Sequence, residues 1–209
     1  MTEQHLNKRN TRPMIFQQDV EAELGWPPGS TCAPVCFYSE AASLSYQVGS
    51  PHEFLSLLAR TNSRNATGHW VRPKLSVALR NLFGIKVVSW NTANTEQDID
   101  KMVSAGYLST SAELGFYRSE VEGRLVTEIV DAGHAVIATV APGFSTNRDL
   151  HAVVISRIHS NGYDQDIYSV HNPDKRTIDS IYSRSYIESN LQPGGACSVL
   201  LPSISAEAV

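Results

Sequence analysis

Near residue 133 the hydrophobic pattern of the chain changes period. Before that point apolar residues recur three and four positions apart, as on a helix with one buried face. Val35, Tyr38 and Ala42, together with Phe37, Ala41, Leu44 and Val48, keep that spacing through "APVCFYSEAASLSYQV". After it come four short, β-branched runs bounded by loop residues: "HAVIATVA", "HAVVISRI", "DIYSVHN" and "ACSVLLP". The two periods belong to different elements, so the expectation is an α+β fold, helices first and an antiparallel sheet second.

Element ends support that division. Ser50 caps a helix whose first position is Pro51 and whose capping box closes at Glu53. "RPKLSVALRNLFG" stops at Gly84 and leads into a strand, "IKVVSW". "NTEQDIDKMVSAG" and "EVEGRLVTEIVDAG" are two further helical patterns closed by glycine, and "SRSYIESNL" is one late helix. The chain has 209 residues, 42% of them hydrophobic and 18% charged, enough for one sizeable core. We expect a loose tail over residues 1–13 and a single domain over 14–205.

Net charge is −4 and the basic residues are scattered, which argues against a nucleic-acid surface. No window approaches the roughly 18–20 apolar residues of a membrane span. "MTEQHLNKRNTRPMIF" has no signal-peptide core, so the expected location is the cytoplasm. Three cysteines, an odd number, do not make a disulfide framework.

Two of those cysteines stand in "GSTCAPVCF". With Ser30 or Thr31 as cap and Pro34 in the first turn, Cys32 falls at a helix N-terminus and Cys36 one turn inside it. On a helix that spacing keeps the Cβ atoms roughly 6 Å apart, too far for easy bridging. No further pair of ligands at metal spacing accompanies them, and the seven histidines are dispersed, so no metal or other cofactor is expected. Cys36, beside Phe37, reads as a small core residue. Cys32 is different, because unpaired amides and the positive dipole end of the helix favour its thiolate.

A nucleophilic thiol needs a base and a group to orient that base. His151 opens a strand, and Asn172 ends the next one, at a place where an antiparallel pairing brings the two together. Asn172 could then accept the imidazole Nδ1 proton. His134, which also begins a strand, is the rival base. His171 neighbours Asn172 but points to the opposite face. His5, His52, His69 and His159 read as solvated or loop residues. The Gly194–Gly195 pair in "QPGGAC" reads as a turn into the last strand.

The order Cys, His, Asn, with the cysteine on an early helix, is that of papain-like enzymes. Over residues 13–200 the chain resembles the papain-like bacterial peptidases related to the double-glycine leader peptidases of bacteriocin exporters. The segments that carry the resemblance are "PMIFQQD", "TCAPVC", "GHWVRPKLSVALRNLFGIKVV", "LVTEIVDAGHAVIATV", "LHAVVISRI" and "VHNPDK". It implies a helical N-terminal lobe carrying the cysteine and a C-terminal antiparallel sheet carrying the histidine and asparagine. It further implies Cys32 as nucleophile, His151 as base and then acid, Asn172 as orienter, and Gln17 or its neighbour Gln18 as oxyanion donor. Ala33 stands where the family usually has glycine, Asn172 where it usually has aspartate, and the stretch from Gln17 to Cys32 is longer than the family's shortest. The activity implied is a cysteine peptidase acting on a peptide or protein substrate through a thioester. The same residues would serve an acyltransferase or isopeptide-forming enzyme, or an inactive peptide-binding domain. Neither the substrate's sequence nor an oligomeric state is legible.

Overall fold

The computed structural model of the chain describes residues 13, 15–27, 29–92, 98–144, 150–157, 167–174 and 180–203. The tail expected over residues 1–13 therefore lies, but for Pro13, outside the described residues, as do His5 and His159.

Among the described residues there are eight α-helices and six strands. The helices are α1 (Gln17–Leu24), α2 (Cys32–Ser43), α3 (Pro51–Ala59), α4 (Arg72–Phe83), α5 (Ile99–Ala105), α6 (Ser111–Phe116), α7 (Val126–Asp131) and α8 (Arg184–Asn190). The strands are β1 (Val87–Asn91), β2 (Val136–Val140), β3 (His151–Arg157), β4 (Ile167–His171), β5 (Ser180–Ser183) and β6 (Ala196–Leu200). They form one antiparallel sheet in the order β1-β6-β2-β3-β4-β5. The α+β class is as expected. No described helix is long and apolar enough to cross a membrane.

Strand alternation divides the core in two. Val136, Ala138 and Val140 of β2, with Val153 and Ile155 of β3, pack with α5, α7 and α8. Ala135 and Ile137, with Ala152 and Val154, pack instead with α1 to α4 through residues such as Phe37, Phe54, Leu58, Leu75 and Leu79. Helices thus cover both faces, and the near-continuous apolar runs of β2 and β3 follow from burial on each side. The sheet is a middle layer, with α1 to α4 on one face and α5, α7 and α8 on the other. β1, which falls among the helices in the chain, joins the sheet edge through β6.

Local differences have local causes. The pattern over residues 120–133 is not one helix: a π-helical turn, Tyr117–Val121, precedes a break at Gly123, whose φ is +74°, and α7 starts only at Val126. The helix expected over residues 33–48 ends at Ser43, because Ser45 turns left-handed at φ +63°. Thr31 precedes α2 without capping it, since its hydroxyl is committed elsewhere. The Ser50 capping box and the left-handed Gly84 are as read from the sequence.

A buried carboxylate joins the edge of the sheet to the helices around it. Glu113, fully buried, accepts from Arg80 Nε at 2.9 Å, the Val87 amide at 3.0 Å and the Ser109 amide at 2.7 Å. Arg80 in turn donates to the carbonyls of Gly106 and Tyr107 at 2.8 and 3.0 Å. Removing one member of such a pair strands the other's charge, at a typical cost of about 3–5 kcal/mol. Glu113→Ala should accordingly lower stability by that amount in urea unfolding, and a loss under about 1 kcal/mol would show that water or neighbours replace the carboxylate.

Candidate active site

Cys32 is the first residue of α2 and half-buried; Cys36 and Cys197 are fully buried. α2 lies against β3, where Cys36 Sγ donates to the Ala152 carbonyl at 3.4 Å. That contact sets the helix alongside the start of β3, where Cys32 and His151 act electrostatically on one another. His151, the first residue of β3, pairs across the sheet with Val140.

His151 Nε2 lies 2.8 Å from Asn172 Oδ1, and both side chains are buried. Pairing of Val154 with His171 makes this contact possible, because it sets Asn172 one residue past the end of β4 and diagonally across from His151. Asn172 therefore meets Nε2, not the Nδ1 expected from the sequence, and Nδ1 is the nitrogen left for Cys32. The same Oδ1 accepts the Asp174 amide at 2.9 Å, which fixes the carboxamide within its own turn. His171, paired with Val154, faces the other side as expected.

His134 stands apart. It precedes β2, whose far end, Val140, pairs with His151. Six residues of extended chain separate them by about 20 Å. Its ring packs edge-on to Phe116, with centroids 4.8 Å apart.

α1 (Gln17–Leu24), not anticipated as a helix, ties the two halves of the site together. The Gln17 amide donates to the Pro173 carbonyl at 3.0 Å, and its Nε2 donates to Asp174 Oδ1 at 3.0 Å. Gln18 Nε2 donates to the Asp174 carbonyl at 3.1 Å and also to its Oδ1. One turn on, buried Glu21 accepts from Gly29 N at 2.9 Å, Thr31 N at 2.9 Å and Thr31 Oγ1 at 2.7 Å. The two glutamine side chains thus hold the asparagine turn, and Glu21 holds the approach to Cys32. Buried polar residues carry no hydrophobic period, which is why this helix escaped a reading based on periodicity.

The electrostatics separate the three thiols. Burial pushes the Cys32 thiol up, but the hydrogen bond and charge of His151, the Ala152 backbone and the Arg72 guanidinium outweigh it and leave the thiol below its ordinary value. Burial likewise pushes His151 down, while Cys32, Asn172 and Asp174 raise it above the ordinary imidazole value. Each favours the other's charge. At Cys197 burial outweighs the pull of Arg72 and of the Thr139 backbone and pushes the thiol up to about 12. Among the described residues no three His, Cys, Asp or Glu side chains gather as a metal site.

No family model matches the sequence, and no curated protein matches it. Among solved structures the chain is similar to the crystal structure of a candidate C39-like peptidase from Bacillus anthracis. The two share 17% identity over 92% of this chain and 96% of that one, with a TM-score of 0.49. At that level the likeness assigns no residue and no activity.

A thiol below its ordinary value beside an imidazole above its own defines a pH window. Thiolate forms as pH rises through the lowered Cys32 value, and imidazolium persists until the raised His151 value. Iodoacetamide should therefore alkylate Cys32 well below the free-thiol range of about pH 8.5, and leave Cys36 and Cys197 intact in the folded protein. Peptide mapping by mass spectrometry reads all three sites, and equal labelling would refute the distinction.

Proposed function

We propose that the protein is a papain-like cysteine peptidase, a single domain over residues 14–205, that cleaves peptide bonds through a thioester on Cys32. What supports the reading above all is His151, which favours the charged form of Cys32 and lies 2.8 Å from Asn172 Oδ1. That is the geometry of a nucleophile, a base and an orienter. It agrees with the family resemblance of the sequence.

In the proposed reaction His151 takes the Cys32 proton, and the thiolate attacks the carbonyl carbon of the scissile bond. The oxyanion forms beside the Cys32 amide, one of the first-turn N–H groups with no partner inside its helix. A second donor is assigned to Gln17 Nε2: the amide has two hydrogens, and Asp174 takes one of them. Gln18, whose amide also donates to Asp174, is the alternative. Loss of one such donor typically raises the barrier by about 2.7–4 kcal/mol. When the carbon–nitrogen bond breaks, His151 gives its proton to the departing amine. Water, deprotonated by His151, then attacks the thioester and releases acid and free Cys32.

Roles differ among the three residues, so their substitutions should differ too. His151→Ala removes base and acid together and should abolish turnover of a model peptide. Asn172→Ala, which removes only orientation, should leave a measurable remnant. Asn172→Asp should be tolerated: Asn172 Nδ2 makes no hydrogen bond, so its exchange for oxygen loses no donor, and both contacts to Oδ1 persist. His134→Ala should turn over normally. Activity retained in His151→Ala, or lost in His134→Ala, would end this assignment.

A further inference from the structure

Asp174, half-buried in the turn after β4, touches three residues of the site at once. Its amide donates to Asn172 Oδ1 at 2.9 Å, the atom that lies 2.8 Å from His151 Nε2. Its Oδ1 accepts from Gln17 Nε2 at 3.0 Å and also from Gln18 Nε2. Its carbonyl accepts from Gln18 Nε2 at 3.1 Å.

A glutamine amide has a donor end and an acceptor end of nearly the same shape, and its neighbours decide which end faces where. A carboxylate only accepts, so Asp174 draws the nitrogen of each amide toward itself. Gln17 Oε1 and Gln18 Oε1 are both buried without a hydrogen bond. Neither amide is therefore held by its oxygen, and Asp174 is the group that turns both. The two glutamines differ in what they have left. Gln18 commits both hydrogens of Nε2 to Asp174, one to the carbonyl and one to Oδ1. Gln17 commits one, and its second makes no hydrogen bond.

We propose that Asp174 is a positioning residue for the oxyanion: its carboxylate orients the Gln17 amide with one N–H to spare, while its own amide holds Asn172 Oδ1 against His151. One residue thus registers the oxyanion donor against the imidazole and its orienter. The inference rests on the proposed peptidase and deepens it by separating the two glutamines. Gln17 is the donor, and Gln18, with both hydrogens engaged, steadies Asp174.

Two measurements on the full chain test it. The first needs no turnover and follows exchange of the glutamine side-chain amide protons by NMR. Both protons of Gln18 and one of Gln17 should be protected, and Asp174→Asn should abolish that protection. Unprotected amides in the wild type, or protection unchanged in Asp174→Asn, overturn the proposal. The second is a double-mutant cycle on turnover of a model peptide. Asp174→Asn keeps the shape and the backbone amide that holds Asn172, but its own NH2 can donate to Gln17 Oε1 and so flip that amide. The value of kcat should fall about tenfold to a hundredfold, toward the roughly 10²–10³ of losing a donor outright. In Gln17→Ala the same change should cost under about threefold, because Asp174 then has no donor to position. Alkylation of Cys32 by iodoacetamide forms no oxyanion, and Asp174 is the last of the groups that raise His151. Its rate in Asp174→Asn should stay within about threefold of the wild type, half a pH unit at most. Additive losses in the cycle, or alkylation that falls in step with kcat, overturn the proposal. Near-ultraviolet circular dichroism checks each fold, and Asp174→Ala takes the same measurements if asparagine is not tolerated. Absence of turnover in the wild type fails the peptidase reading, whereas turnover with additive losses fails only this inference.

Discussion

The site depends first on a carboxylate that takes no part in its chemistry. Glu21, 2% exposed, accepts three hydrogen bonds from Gly29 and Thr31, and so fixes the chain immediately before Cys32. Hydrogen bonds to a charged acceptor are worth about twice neutral ones, and a buried acceptor left empty costs more than either. Gln17, four residues earlier on the same helical face, holds the Pro173–Asp174 turn. A short helix with few apolar residues is thus retained for what its polar face joins: the start of the cysteine helix and the turn that carries Asn172.

Which parts of this were legible in the sequence follows from what periodicity records. The α3 and α4 segments announce themselves because they bury a stripe, and Ser50, Pro51 and Gly84 mark ends through backbone chemistry that needs no tertiary context. His151 and Asn172 were legible because each stands at a strand end, where a polar side chain escapes the core yet remains fixed by the ladder. The helix α1 was not legible, its buried faces being Gln17 and Glu21 as well as Val20. Nor was β5 (Ser180–Ser183), an edge strand of four residues whose Ile181 points to solvent. The covering of both sheet faces also lay beyond the pattern. An amphipathic helix declares that it has an apolar side, never which side of a sheet it will meet.

Arg72 marks a different limit. In "RPKLSVALRNLFG" it reads as a charged residue at a helix start, where the positive dipole end would disfavour it. Only the fold shows the guanidinium turned inward, between α2 and β2, with Thr139 and the Phe37 ring as its neighbours. Sequence patterns assume that charge lies outside. Residues that break the assumption are expected near function, where a local cost is accepted for a property of the site.

The choice of asparagine as orienter has a consequence for the proposed reaction. A carboxylate at position 172 would add a constant charge that favours the imidazolium at every stage. Asn172 holds the ring with a neutral oxygen, so the upward pull on His151 comes first from Cys32, more than from Asn172 or Asp174. That pull vanishes as soon as Cys32 Sγ bonds to the carbonyl carbon, since a sulfur so bonded carries no charge. Burial, which pushes His151 down, is then opposed only by Asn172 and the more distant Asp174. The imidazole therefore becomes more ready to lose its proton at the stage where that proton must pass to the departing amine. Once neutral, it is the base that the attacking water requires. Release of acid restores the Cys32 sulfur and with it the charge pair. Cys32 and His151 thus tune one another around the cycle, while Asn172 holds the ring.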